Sequence, residues 1–202
     1  MGKTEHKHLT WGQRLGRGLL RLFGWQVVAE LPPTPKYIVI GAFHTSNWDF
    51  VLALPAMLAL GFRPRWIGKD SLFKPPFGGL MRLLGGIPVV RGARRNFVEQ
   101  IAEVYRKSEE LVIVIAPEGT RKKTDHWKTG FYYIALGAGI PIALGFVDYP
   151  SKRIGVGGYF TPSGDIRADM ERIRAFYENV RGKFPHEHSQ IRLLDKMGDK
   201  KE

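Results

Sequence analysis

Cysteine is absent from this chain. Its absence excludes disulfides, thiolate metal sites and a thiol nucleophile together, and it suits a reducing compartment. An apolar leader is missing too: MGKTEHKHLT is polar and runs into Arg-punctuated sequence, so no signal peptide is expected. Long apolar runs are scarce. The longest stretch without charge, TGFYYIALGAGIPIALGFV at 129–147, approaches the roughly 20 residues that cross a bilayer, yet two tyrosines, four glycines and Pro141 interrupt it. It divides at Gly139 into a helix-like and a strand-like half, and reads as a buried helix-to-strand connection ahead of a transmembrane span. Histidines are few. Apart from His44 they are His6, His8, His126, His186 and His188, mostly in the polar termini and without H-E-x-x-H spacing, so no metal site is expected.

Negative charge is also in short supply: 31 Lys and Arg stand against 19 Asp and Glu, a formal net charge of +12. A polyanion, an anionic membrane surface or an acidic substrate is the expected company. The excess is uneven. Arg63 to Arg95 holds eight basic residues against Asp70 alone, and Arg121 to Lys128 holds four against Asp125. No nucleic-acid motif accompanies the charge, and nucleic acid is not expected as a partner.

What is present fits one well-filled core in 202 residues, 44% of them hydrophobic. Residues 1–30 read as an N-terminal appendage. Within WGQRLGRGLLRLFGWQVV (11–28), Trp11, Leu15, Leu19, Leu22 and Phe23 recur at helical spacing while Arg14, Arg17 and Arg21 fall on a different face. That is the pattern of a helix lying in a membrane interface, or of an amphipathic helix packed on its own domain. Residues 31–35, LPPTP, form a rigid linker.

From 36 to 190 short β-branched runs alternate with helical patterns, before a polar tail at 191–202. Strands are expected at 37–43, 65–69, 87–91, 111–118, 140–148 and 153–160. Helices are expected at 47–60, despite Pro55, and at 96–110, 130–138 and 166–181. Strands separated by helices imply an α/β fold with a mostly parallel central sheet flanked by helices.

Reactive groups in such sheets sit beyond the carboxyl ends of strands. HTSNWD follows the first of these strands. If Asn47 opens the next helix, Asp49 lies in its first turn and can bond one nitrogen of His44, leaving the other as a general base. The same residues also fit an aspartate stabilising a helix N-terminus beside an unrelated histidine. APEGTRKK (116–123) follows the strand at 111–118. Gly119 permits close ligand approach and Arg121 is suited to a phosphate or carboxylate, while a structural Glu118–Arg121 pair fits equally. Arg91, at the end of GGIPVVRG, reads as a second anion clamp or as a solvated edge arginine. GIPIALGFVD by itself reads as core.

HTSNWD, GGIPVVR, PEGTR and GIPIAL, in this order from 44 to about 144, resemble the four sequence blocks of the glycerolipid acyltransferases related to lysophosphatidic acid acyltransferase. The resemblance implies a glycerol-3-phosphate acyltransferase-like fold and transfer of an acyl chain from a thioester to a lipid hydroxyl. It implies His44 as the base and Asp49 as its orienting carboxylate, without an acyl-enzyme. Glu118, Gly119, Thr120 and Arg121 would shape the acceptor site, and Arg91 and Arg121 would hold an anionic head group. Lys69 would serve the thioester oxygen or the acceptor phosphate. The implied partners are a lyso-lipid acceptor, acyl-CoA or acyl carrier protein as co-substrate with no bound cofactor, and the cytoplasmic face of an anionic membrane, occupied peripherally.

The chain departs from the common pattern at Phe43, Val90 and Ala116. Trp127, Lys128, Thr129 and Gly130 look more like the transacylase and bacterial branches. An acyltransferase or transacylase acting on another lyso-lipid or a glycolipid is therefore an alternative. A non-catalytic basic protein binding membranes or nucleic acid is the reading from a different class.

Overall fold

The computed structural model describes residues 9–83, 85–89, 94–120 and 123–194, and the side chains of all of these except 68, 69 and 94–96. In chain order the elements are α1 (Trp11–Leu22), β1 (Gln26–Glu30), β2 (Lys36–Ala42), α2 (Asn47–Leu60) and β3 (Pro64–Lys69). These are followed by a 3-10 turn at Asp70–Phe73, α3 (Gly78–Leu83), β4 (Gly86–Val89), α4 (Arg94–Lys107), β5 (Leu111–Ile115) and α5 (Gly130–Ala138). The last are β6 (Ile142–Asp148), β7 (Arg153–Phe160), α6 (Ile166–Tyr177) and a 3-10 turn at Pro185–Glu187.

The seven strands form one sheet in the order β1-β7-β6-β2-β5-β3-β4. Every neighbouring pair is parallel except β6 and β7, so the expected mostly parallel sheet is observed. β2 lies at its centre and is buried on both faces. Ile38, Ile40 and Ala42 point into a core shared with α4, α5 and α6, whereas Tyr37 and Val39 point to the opposite face with Leu60 of α2. This alternation is why YIVIGA reads as a continuous apolar run.

Local chemistry sets the boundaries. Gly61 and Gly139 close α2 and α5 in the left-handed region at φ 78° and 65°, where a side chain would be strained. Asp165 caps α6 by accepting from the backbone N–H groups of Arg167 and Ala168 at 2.9 and 3.2 Å. The apolar run at 129–147 divides as expected, into α5 and β6. Among the described residues no helix is long and apolar enough to cross a membrane.

Residues 11–28, expected as one helix, divide instead. The helix stops at Leu22, and Gln26–Glu30 join the sheet as β1, parallel to β7. Two adjacent β-branched residues, Val27 and Val28, find a ladder partner in β7 that no local pattern discloses. β5 ends at Ile115 rather than 118, which releases Ala116–Thr120 into a turn. α6 ends at Tyr177 rather than 181.

α1 packs on α2 through Gly16 and Leu20. A Cβ on Gly16 would stand 2.6 Å from the Ala59 nitrogen and would also collide with the Pro55 carbonyl, so only glycine permits this approach. Trp11, Leu15, Leu19 and Leu22 remain exposed on α1, beside exposed Phe50, Val51, Leu54 and Leu58 of α2.

Candidate active site

Three adjacent strands, β6, β2 and β5, end side by side, and Tyr149, His44 with Asp49, and Glu118 follow them in turn. After β2 the chain turns through Phe43–Ser46 and enters α2 at Asn47, as the sequence suggested. Ser46 is the N-cap and accepts from Trp48 N–H at 3.2 Å. Asp49, at the third helical position, accepts from the Ser46 N–H at 2.8 Å and completes a capping box. It also accepts from the Thr45 N–H at 3.0 Å.

The same Asp49 oxygen lies 3.2 Å from His44 Nδ1. Capping and pairing, alternatives in the sequence, are therefore both true of this carboxylate. The pairing places the imidazole proton on Nδ1 and leaves Nε2 as an acceptor. The remaining oxygen, Oδ1, accepts from the Tyr149 hydroxyl at 2.8 Å. Burial alone would raise the Asp49 carboxyl, but hydrogen bonds from His44, Tyr149 and Ser46 outweigh it and hold the group below the ordinary aspartate value. Asp49 is thus kept ionised beside a histidine whose side chain is 35% exposed.

Glu118 enters from the turn after β5. It is 2% exposed, and its Oε2 accepts from the backbone N–H of His44 at 3.1 Å. Its Oε1 is buried with no hydrogen-bond partner among the described residues. Burial raises this carboxyl above the ordinary range, against the opposing pull of the His44 contact. Gly119 turns at φ 67°, and a Cβ there would stand 2.9 Å from Cε of Lys128. The Lys128 N–H donates to the Pro117 carbonyl at 2.8 Å, which lays the 127–128 segment along the turn. Thr120 is exposed on the same turn.

Asp49 and Glu118 therefore both contact His44, the first at its ring and the second at its backbone N–H, with Gly119 and Thr120 on the same turn as Glu118. Arg91 and Arg121 lie outside the described residues, as does the Lys69 side chain. The Lys69 backbone closes β3 opposite Val89.

Tyr149 was missed. It stands one residue beyond β6, where the rule that reactive groups follow strand ends would have found it had GIPIALGFVD not been read as core alone. The 181–188 segment was missed as well. Phe184 N–H donates to Thr45 Oγ1 at 3.3 Å, Gly182 N–H donates to His188 Nε2 at 3.0 Å, and the His188 ring stacks on Phe43 at 3.7 Å. Burial, reinforced by the Arg181 charge, pushes His188 down to about 4, so it is the neutral imidazole that accepts.

Among the described residues no cluster of three or more His, Asp or Glu suits a metal ion. Neither of two cavities, of about 450 Å³ against α1 and about 440 Å³ against α6, is lined by His44, although Phe43 lines the second.

Residues 27–143, more than half of the chain, match the sequence model of the Acyltransferase family. The chain belongs to this acyltransferase family. The match begins in β1 and ends in β6, short of Tyr149. The acyltransferase chain is 32% identical over 161 residues to the 1-acyl-sn-glycerol-3-phosphate acyltransferase of Escherichia coli K12, covering 73% of this chain and 63% of that one. It is 31% identical over 135 residues to the enzyme of the same name from Haemophilus influenzae, covering 61% and 54%. The chain thus spans less than two thirds of these relatives. Its fold is similar to that of the 1-acyl-sn-glycerophosphate acyltransferase PlsC of Thermotoga maritima, with a TM-score of 0.51 at 19% identity over 83% of this chain and 77% of that one.

Proposed function

We propose that this acyltransferase domain moves a fatty acyl chain from a thioester to the free hydroxyl of a lysophospholipid, with lysophosphatidic acid as the default acceptor. The observation that carries the reading is the fourfold-held Asp49 carboxylate against His44 Nδ1 at the end of the central strand. The names of the relatives from Escherichia coli and Haemophilus influenzae support the choice of acceptor.

In the proposed reaction His44 Nε2 takes the acceptor hydroxyl proton as the oxygen attacks the thioester carbonyl, and Asp49 stabilises the imidazolium that forms. Collapse of the tetrahedral intermediate breaks the carbon–sulfur bond, and the proton passes from His44 to the departing thiolate. Acyl transfer is then direct, and no protein nucleophile is needed. The carbonyl oxygen, negative in the intermediate, calls for a fixed donor or cation, a role proposed for Lys69. Glu118 Oε1, buried and without a partner among the described residues, has hydrogen-bonding capacity left for the acceptor. Arg91, Arg121 and the exposed Lys128 beside Gly119 are proposed to hold its phosphate, with Thr120 at the edge of that site.

Acyl-CoA or acyl carrier protein is the proposed donor, and no bound cofactor enters the scheme. The exposed apolar residues of α1 and α2, flanked by Arg14, Arg17 and Arg21, support peripheral seating on the cytoplasmic face of an anionic membrane.

A panel of lyso-lipids offered with acyl-CoA and with acyl carrier protein, read by mass spectrometry, tests the reading. Phosphatidic acid formed by the wild type and not by His44→Ala is the expected result. Acylation of a different lyso-lipid alone would overturn the acceptor, and equal product from His44→Ala would overturn the mechanism.

A further inference from the structure

The cavity against α1 is built from residues to which the acyl-transfer scheme gives no catalytic part. Its volume is about 450 Å³, and Arg17, Arg21, Gly24, Trp25, Gln26 and Val27 line it. Arg17 and Arg21 are one helical turn apart and so share a face of α1. Lys152 adds a third cation. Its Nζ lies 3.4 Å from where a Cβ on Gly24 would be, and it donates to the Phe23 carbonyl at 3.4 Å.

None of these three cations takes part in an ion pair among the described residues. Arg17 Nε is in addition fully buried and has no hydrogen-bond partner there. A buried guanidinium N–H without an acceptor is costly, and a guanidinium fork is matched in shape and charge to a phosphate. Leu22 and Phe23, which stand in the chain between the lining residues Arg21 and Gly24, are 78% and 66% exposed.

We propose that this cavity is a phosphate site, in which Arg17 and Arg21 hold the phosphate oxygens and Lys152 supplies further positive charge. Its ligand is a phosphate group, either the head group of a membrane phospholipid whose chains lie along Leu22 and Phe23, or a free phosphate. The site is separate from the proposed acceptor site and does not rest on the acyl-transfer reading. Its floor nonetheless touches the active-site support: Trp25 meets Tyr149 edge-on at 5.3 Å, and Tyr149 bonds Asp49.

Two measurements test it. The Arg17 Nε–Hε cross-peak of isotope-labelled protein, assigned by its loss in Arg17→Gln, is followed while inorganic phosphate is added, with chloride at matched ionic strength as control. In parallel, flotation with vesicles of phosphatidylcholine alone or mixed with phosphatidylglycerol compares wild type, Arg17→Gln/Arg21→Gln, and the equal-charge control Arg63→Gln/Arg167→Gln. A saturable, phosphate-specific shift of the cross-peak supports a free-phosphate ligand. A phosphatidylglycerol-dependent affinity that drops about tenfold or more in the first double variant, and within about twofold in the control, supports the head group. The proposal is overturned if phosphate leaves the cross-peak unmoved and the two double variants bind phosphatidylglycerol vesicles alike. The cross-peak experiment uses the wild-type fold, so a misfolded variant does not obscure the outcome.

Discussion

Tyr149 donates its hydroxyl to Asp49 across 2.8 Å, linking the end of β6 to the first turn of α2 one hundred residues earlier. The bond occupies the carboxylate oxygen that His44 does not use. It fixes the plane of Asp49 and, through it, the imidazole. In the proposed mechanism Tyr149 is thus a positioning residue, acting on His44 through Asp49.

Tyr149→Phe removes one hydrogen bond to a charged group, worth about 1.5–3 kcal/mol, while keeping the ring against Trp25. In steady-state acyl transfer kcat is expected to fall about tenfold or more with KM little changed. A rise in KM at constant kcat would instead place Tyr149 in substrate binding.

Asp49→Asn and Glu118→Gln should move stability in opposite directions at neutral pH. The folded-state value of Asp49 is lowered, so it contributes stability that is present above its unfolded value and lost as pH falls through the folded one. Glu118 is raised, so the unfolded chain releases its proton first and stability falls as pH rises through that interval. Thermal melts near neutral pH should therefore show a lower Tm for Asp49→Asn and a higher Tm for Glu118→Gln. Acyl transfer should fall in both, by about a hundredfold or more in the first. A lower Tm for Glu118→Gln would show that its contact with His44 outweighs its burial.

His188 gives the fold an acid limb. Its imidazole goes from 6.5 in the unfolded chain to about 4 in the folded one, so between these values the unfolded chain binds a proton that the folded chain excludes. The stability this site contributes is complete above about 6.5 and declines as pH drops toward about 4. His188→Gln, which retains a hydrogen-bond acceptor for Gly182, should flatten the fall of Tm across that range. An unchanged slope would assign the limb to other groups.

Gly16→Leu should separate α1 from α2. The added side chain has no room between Pro55 and Ala59, and such overpacking costs about 1–3 kcal/mol. A lower Tm with increased proteolysis within 11–22 is expected. Wild-type melting would mean that α1 adjusts without loss.

By itself the sequence determined the α/β class, because β-branched runs and amphipathic runs alternate and a buried parallel strand must be apolar on both faces. It also placed His44 and Asp49 within reach of each other after a strand, but left open whether the carboxylate pairs with the imidazole or only caps the helix. The structure shows that it does both. Contacts between distant segments were beyond the sequence. That β1 pairs with β7 in register, that Tyr149 supports Asp49, that Glu118 is buried against the His44 backbone, and that Arg17 faces a cavity were decided by tertiary structure alone. Each depends on which strands become neighbours. That order follows from burying all the apolar faces at once, which no window of the chain contains.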